Sequence, residues 1–183
     1  MPILFYMNNH NLQELLYHFL FLLKCIPENS KMFSNTNEHL ETEIIMENRI
    51  KKTIELHDKG YNCAQAVACA YCDLVGIDEQ TALRATEAFG AGMGGMQATC
   101  GAVSGAVFLA GIKNADGVVG APRSKAGTYK LSKTIVEAFQ QKNGTVICCE
   151  LKAKNPETGL PKRDCAGCIM DAAAIAETVL FSE

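Results

Sequence analysis

Four short stretches carry the residue types that could do chemistry: Asn62-Cys63, Thr99-Cys100-Gly101, Cys148-Cys149-Glu150-Leu151 and Cys165-Ala166-Gly167-Cys168. A thiolate is both the nucleophile and the metal ligand of cysteine chemistry, and helix N-termini lower thiol pKa values. Thr99 reads as an N-cap that puts Cys100 at the first helical position, and Asn62 can cap the helix that begins with Cys63. Cys165-x-x-Cys168 also stands at a predicted helix start, an arrangement that favours a thiolate in dithiol redox proteins. Cys69 and Cys72 share that spacing but sit mid-helix among alanines, where cysteine serves as a small core residue. Taken with Cys165 and Cys168 they would also make a four-thiolate zinc set.

Phe89 to Gly111 is the stretch around which these residues are organised. Gly90, Gly92, Gly94 and Gly95 form a loop ahead of the Cys100 helix, in which Gly101 and Gly105 give one face of small residues. Such a face lets another backbone come close. Gly90-x-Gly92-x-x-Gly95 matches the dinucleotide fingerprint by letter, but that motif must follow a buried strand and open a βαβ unit. The segment before it is helical in character, so no nucleotide is expected. The glycines instead suit a tight turn that brings backbone near a site. His10, His18, His39 and His57 are scattered, Ser104 is a helix-packing residue, and the carboxylates form no pairs.

The elements that position these residues are helices. Ile50, Ile54 and Leu56 give an amphipathic helix that ends at Gly60. Next come a helix from Cys63 stopped by Gly76, a helix from Asp78 to Phe89, the Cys100 helix, a loop over 111–120 and a helix from Pro122 to about Gln141. Val146 to Leu151 reads as a short strand or a helical turn. A loop over 156–164 leads to a terminal helix from Cys165 to Phe181. The fold class is therefore all-α, a compact bundle of about six helices with short loops.

Residues 1–45 differ from the rest. Leu15 to Leu23 is apolar but too short for a bilayer span, which takes about 20 residues. It lacks the flanks of a signal peptide. The expectation is a poorly ordered arm, linker or mis-assigned start, with the helical domain over 46–183 and Met46 a protein start in its own right. The net charge of −3, with no basic run, argues against nucleic acid and anionic membrane as partners. Nine cysteines in 183 residues, an odd count with no secretory signal, point to a reducing, cytoplasmic compartment and to metal or redox chemistry, not a disulfide framework.

Several blocks occur together and in order: GYNCAQAV (60–67), FGAGMGG (89–95), TCGAVSGA (99–106), CCEL (148–151) and CAGCIMDAAA (165–174). Over roughly residues 47–181 the chain resembles the redox-active proteins named for the C_GCAxxG_C_C motif. A similar cysteine-bearing domain occurs in split-Soret cytochromes, with an iron–sulfur centre. The resemblance implies an all-helical domain whose four cysteines, Cys63, Cys100, Cys148 and Cys165, converge as ligands. Cys149 is the neighbouring alternative to Cys148, and Cys168 is an extra cysteine beside Cys165. Four thiolates are the ordinary ligand set of a [2Fe–2S] or [4Fe–4S] cluster. Gly92 and Gly95 are expected to let backbone amides approach it. The implied function is electron transfer with an unidentified donor or acceptor protein. The rival chemistries are a thiol–disulfide oxidoreductase with Cys100 as the reactive thiolate, and a structural zinc module. A helical interaction module with buried cysteines is the reading without chemistry. No C-x-x-C-H exists, so haem attachment of that type is not expected. The alanine- and glycine-rich helices would pack within one chain or across a homodimer.

Overall fold

The structure, a computed structural model, describes residues 49–182, and the expectations about residues 1–45 lie outside that range. The described residues form seven helices and no strand. They are α1 (49–58), α2 (Cys63–Tyr71), α3 (Glu79–Thr86), α4 (Gly101–Asn114), α5 (Lys125–Asn143), α6 (Cys148–Lys152) and α7 (Cys165–Ala176). Short 3-10 turns extend α2 over Cys72–Val75 and α3 over Glu87–Gly92, and a π turn over Glu177–Phe181 extends α7.

Local chemistry accounts for the boundaries. Asn62 caps α2 by accepting from the N–H groups of Ala64 and Gln65, while Gln65 reaches back to the Asn62 N–H, so two orphan donors are satisfied reciprocally. Asp78 caps α3 and Asp164 caps α7, each by accepting from one backbone N–H, that of Thr81 and of Gly167. Gly76 and Gly144 end their helices in the left-handed conformation that glycine adopts at least cost.

Helix α4 is the centre of the bundle and packs against α2, α5 and α7. Its small residues explain why. A Cβ on Gly105 would stand 2.6 Å from the Ala64 carbonyl oxygen, and one on Gly101 would stand 2.8 Å from the Phe89 carbonyl oxygen. The backbones of α2 and α4 therefore touch with no side chain between them. Around this contact the core is filled by Val67, Tyr71, Val103, Leu109, Ile135, Phe139, Leu151 and Ile169, all buried. One buried charge, Asp171 of α7, is held by Lys142 at 2.8 Å and Arg163 at 2.9 Å. Burial pushes its carboxyl up, but the two cations outweigh that and hold it below the usual carboxylate range.

Two expectations are corrected, and a third is met in both of its forms. Thr99 is not the N-cap of α4: Cys100 occupies that position. Thr99 is instead bridged to Ile147 across an antiparallel pairing of 96–100 with 146–149, which keeps the chain extended one residue longer. The predicted loop over 111–120 begins later, because α4 continues to Asn114, and the helix expected from Pro122 begins at Lys125. Val146 to Leu151 takes both of the forms considered, an extended pairing to Ile147 and then the five-residue α6, which brings the described helices to seven against the six expected.

Candidate functional site

Cys63 is the first residue of α2, and Cys165 is the first residue of α7. Their sulfurs lie 3.7 Å apart although 102 positions separate them in the chain. The Cys63 thiol donates to the Cys165 sulfur. That hydrogen bond, helped by Lys152 and opposed by burial, lowers the Cys165 pKa to about 5. The same bond, with burial, pushes the Cys63 thiol far up. Lys152, the last residue of α6, is in direct contact with the Cys165 sulfur.

A second thiol pair lies beside the first. Cys168, on the next turn of α7, is buried, and its thiol pairs with the sulfur of buried Cys100. This contact, opposed by burial, lowers the Cys100 pKa to about 7, and the N–H groups of Ala102 and Val103 at the start of α4 add to it. Cys100 therefore sits where a Ser or Thr cap would, with sulfur in place of the hydroxyl oxygen. The Cys168 thiol is pushed far up by the same pairing and by burial.

Cys148 is placed by backbone pairing. Its N–H donates to the Ala98 carbonyl at 3.0 Å, and the Cys100 N–H donates to the Val146 carbonyl at 2.7 Å. These bonds hold both cysteines on neighbouring extended segments. Burial raises the Cys148 pKa, and so does the negative charge of Cys100. The loop before Cys100 is unusual. Ala91, Gly92, Met93, Gly94, Gly95 and Met96 all have positive φ. For the three non-glycine residues this conformation costs on the order of 1 kcal/mol each. Gly92 needs its missing side chain twice over: φ is +56°, and a Cβ would collide with the Cβ of Cys148. Gly95 turns the loop at φ +90°, with nothing within 4 Å of the Cβ it lacks.

The structure thus places Cys63 and Cys148 each within electrostatic reach of Cys100 and Cys165, with Cys168 beside Cys100. Cys149 is exposed. Cys69 and Cys72 are buried at the far end of α2, their thiols directed at the carbonyls of Glu79 and Cys69. Lys152 is the functional residue that sequence reasoning missed. It stands four positions after Cys148, and nothing local says that it reaches a cysteine 13 residues further on. His57 was read as one of four scattered histidines, yet it too favours the Cys165 thiolate electrostatically.

The thiols stand as pairs. Among the described residues no group of three or more His, Cys, Asp or Glu side chains is arranged to hold a metal ion. The donor set nonetheless suits a soft metal: thiolates of lowered pKa at helix starts, next to a glycine backbone. No helix among the described residues is long and apolar enough to cross a membrane.

Comparison with known proteins agrees with this picture of clustered thiols. No curated protein matches the chain. No solved structure matches it either. The family model described as "Putative redox-active protein (C_GCAxxG_C_C)" matches residues 61–179, a span from the residue before the α2 cap to the π turn after α7. With well over half of its length matched, including every cysteine of the cluster, the chain belongs to the C_GCAxxG_C_C family of redox-active proteins.

Proposed function

We propose that this protein is an electron carrier whose iron–sulfur cluster is held by Cys63, Cys100, Cys148 and Cys165. The observation that supports the reading is the nearness of these four cysteines, which come from four separate elements: the Cys63 and Cys165 sulfurs lie 3.7 Å apart, and Cys63 and Cys148 each feel the charges of Cys100 and Cys165. Cys165, with a pKa of about 5, is a thiolate at neutral pH, and Cys100, at about 7, is ionised in about half of the molecules before iron arrives. When bound, a cluster would supply one-electron chemistry at iron.

The chain's own residues have definable roles. The first turn of α4 directs the N–H groups of Ala102 and Val103 toward the Cys100 sulfur and stabilises its negative charge. Lys152 compensates charge at Cys165, and a cation beside a thiolate site raises its reduction potential. Gly92 lets backbone lie directly against Cys148. The surrounding alanine-rich core keeps water from the buried sulfurs. The electron donor or acceptor would be another protein.

A visible absorption spectrum with iron and sulfide assays on anaerobically purified protein tests this. Broad thiolate-to-iron bands with matching iron and sulfide are expected. A colourless sample that cannot be reconstituted sinks the cluster, and zinc found in its place would make the site structural. A second reading has its own observation. The Cys168 thiol bonded to the Cys100 sulfur supports a thiol–disulfide enzyme with Cys100 as nucleophile and Cys168 as resolving thiol. That enzyme would be metal-free and show a two-electron couple that Cys168→Ser abolishes.

A further inference from the structure

The pair formed by Cys63 and Cys165 has a geometry that cluster binding alone does not use. The two sulfurs are in van der Waals contact at 3.7 Å. Cys165 is half-buried and has the Lys152 ammonium against its sulfur, while Cys63 lies buried behind it. A half-exposed sulfur in contact with a shielded one is the order of parts that thiol–disulfide exchange requires. The other described thiols lack it. Cys100, Cys148 and Cys168 are buried, Cys69 and Cys72 are buried and bonded to carbonyls, and Cys149 is exposed.

We propose that, in the cluster-free protein, Cys63 and Cys165 close into an intramolecular disulfide on meeting a low-molecular-weight disulfide such as oxidised glutathione, and that this bond shuts the site to iron. The gating part rests on the reading of Cys63 and Cys165 as cluster ligands; the disulfide itself needs no metal. The Cys165 thiolate attacks one sulfur of the reagent, the reagent's S–S bond breaks, and one glutathione thiolate leaves. Cys63 then gives up its proton and attacks the Cys165 sulfur of the mixed disulfide, displacing the second glutathione. Two protein sulfurs are oxidised, one reagent disulfide is reduced to two thiols, and the Cys63 proton ends on a departing glutathione. The bond ties the start of α2 to the start of α7 and withdraws two of the four proposed ligands together.

The test uses full-length protein, reduced, stripped of metal with a chelator and desalted anaerobically. It is treated with oxidised glutathione and digested with trypsin without reduction. The expected product is peptide 60–84 joined to peptide 164–183, with fragment ions placing the bond between Cys63 and Cys165 and the same link in Cys168→Ser. Iron and sulfide uptake by the oxidised protein should fall to less than about a tenth of that of the reduced protein and return after dithiothreitol. Peptide 85–113, which holds Cys100, joined to 164–183 would overturn the pairing, as would a stable glutathione adduct on Cys165. Equal loading of linked and reduced protein would overturn the gate. A mapped Cys63–Cys165 bond in a protein whose reduced form takes up no iron would sink the cluster reading and keep the disulfide.

Discussion

Helix α2 carries cysteines at both ends. At its start, Cys63 meets Cys165, Lys152 and the charge of Cys100. At its end, the Cys69 and Cys72 thiols are buried in the core and directed at backbone carbonyls. The same contrast holds for the two C-x-x-C units. In Cys165-x-x-Cys168, the first sulfur is at a helix N-terminus beside an ammonium group, and its pKa falls to about 5. In Cys69-x-x-Cys72, burial raises the first to about 12. Spacing is identical, so spacing does not decide the chemistry. Position relative to a helix end, and the charge that the fold delivers there, decide it.

The largest expected effect is on thiol reactivity. In metal-free protein at pH 7, iodoacetamide should modify Cys165 at least about a hundredfold faster than Cys69. The thiolate population favours Cys165 by about five decades and its lower basicity takes back about three, before the burial of Cys69 is counted. The pH profile of Cys165 labelling should have its midpoint near 5 and stay flat above it, because the reactive form is the deprotonated one. Lys152→Met should move that midpoint up by roughly a unit or more, since an opposite charge in contact shifts a pKa by that much. Mass spectrometry of labelled peptides reads all three. Equal labelling of both C-x-x-C units would break the comparison.

Cluster loading should separate the two ends next. Cys63→Ser and Cys165→Ser should each lower reconstituted iron and sulfide about tenfold or more, while Cys69→Ser leaves them unchanged. Loss of loading in Cys69→Ser with retention in Cys148→Ser would reverse the ligand assignment.

Two smaller effects are energetic. Gly105→Ala forces a Cβ against the Ala64 carbonyl, at the contact that sets Cys63 relative to Cys100. It should cost about 1–3 kcal/mol in denaturant unfolding, the usual penalty for overpacking. Acid should act at the buried ion pairs of α7. Asp171 has a depressed pKa, so its ion pairs contribute stability that is present above the unfolded carboxylate value and is lost as pH falls below about 4. Asp171→Asn should remove that part of the acid dependence and cost about 1 kcal/mol at neutral pH, because both cations are partly exposed and screened. An unchanged acid limb of the stability curve would show that Lys142 and Arg163 do not govern it.

Much of the fold was legible in short stretches of sequence. Asn62, Asp78 and the cysteine that follows Asp164 mark helix starts, and Gly76 and Gly144 mark ends, because capping is settled within a turn of the residue that does it. The four ligand candidates were legible only as blocks in order. The N-cap of α4 was misplaced because a distant segment, 146–149, holds Thr99 extended, and no local signal reports a bridge to Ile147. Cys168 was read as a spare cysteine, and the fold pairs it with Cys100.

The sequence by itself placed cysteines at helix starts, after a capping residue or a turn, where backbone dipoles that act over a single turn can favour a thiolate. Tertiary structure decided which thiolates meet. Cys63 and Cys165 lie 102 positions apart and become neighbours only because glycines on α4 let α2 sit against it and α7 closes beside them. It also decided the charge at that meeting point, because Lys152 acquires its role from a contact that burial and packing, not spacing, impose.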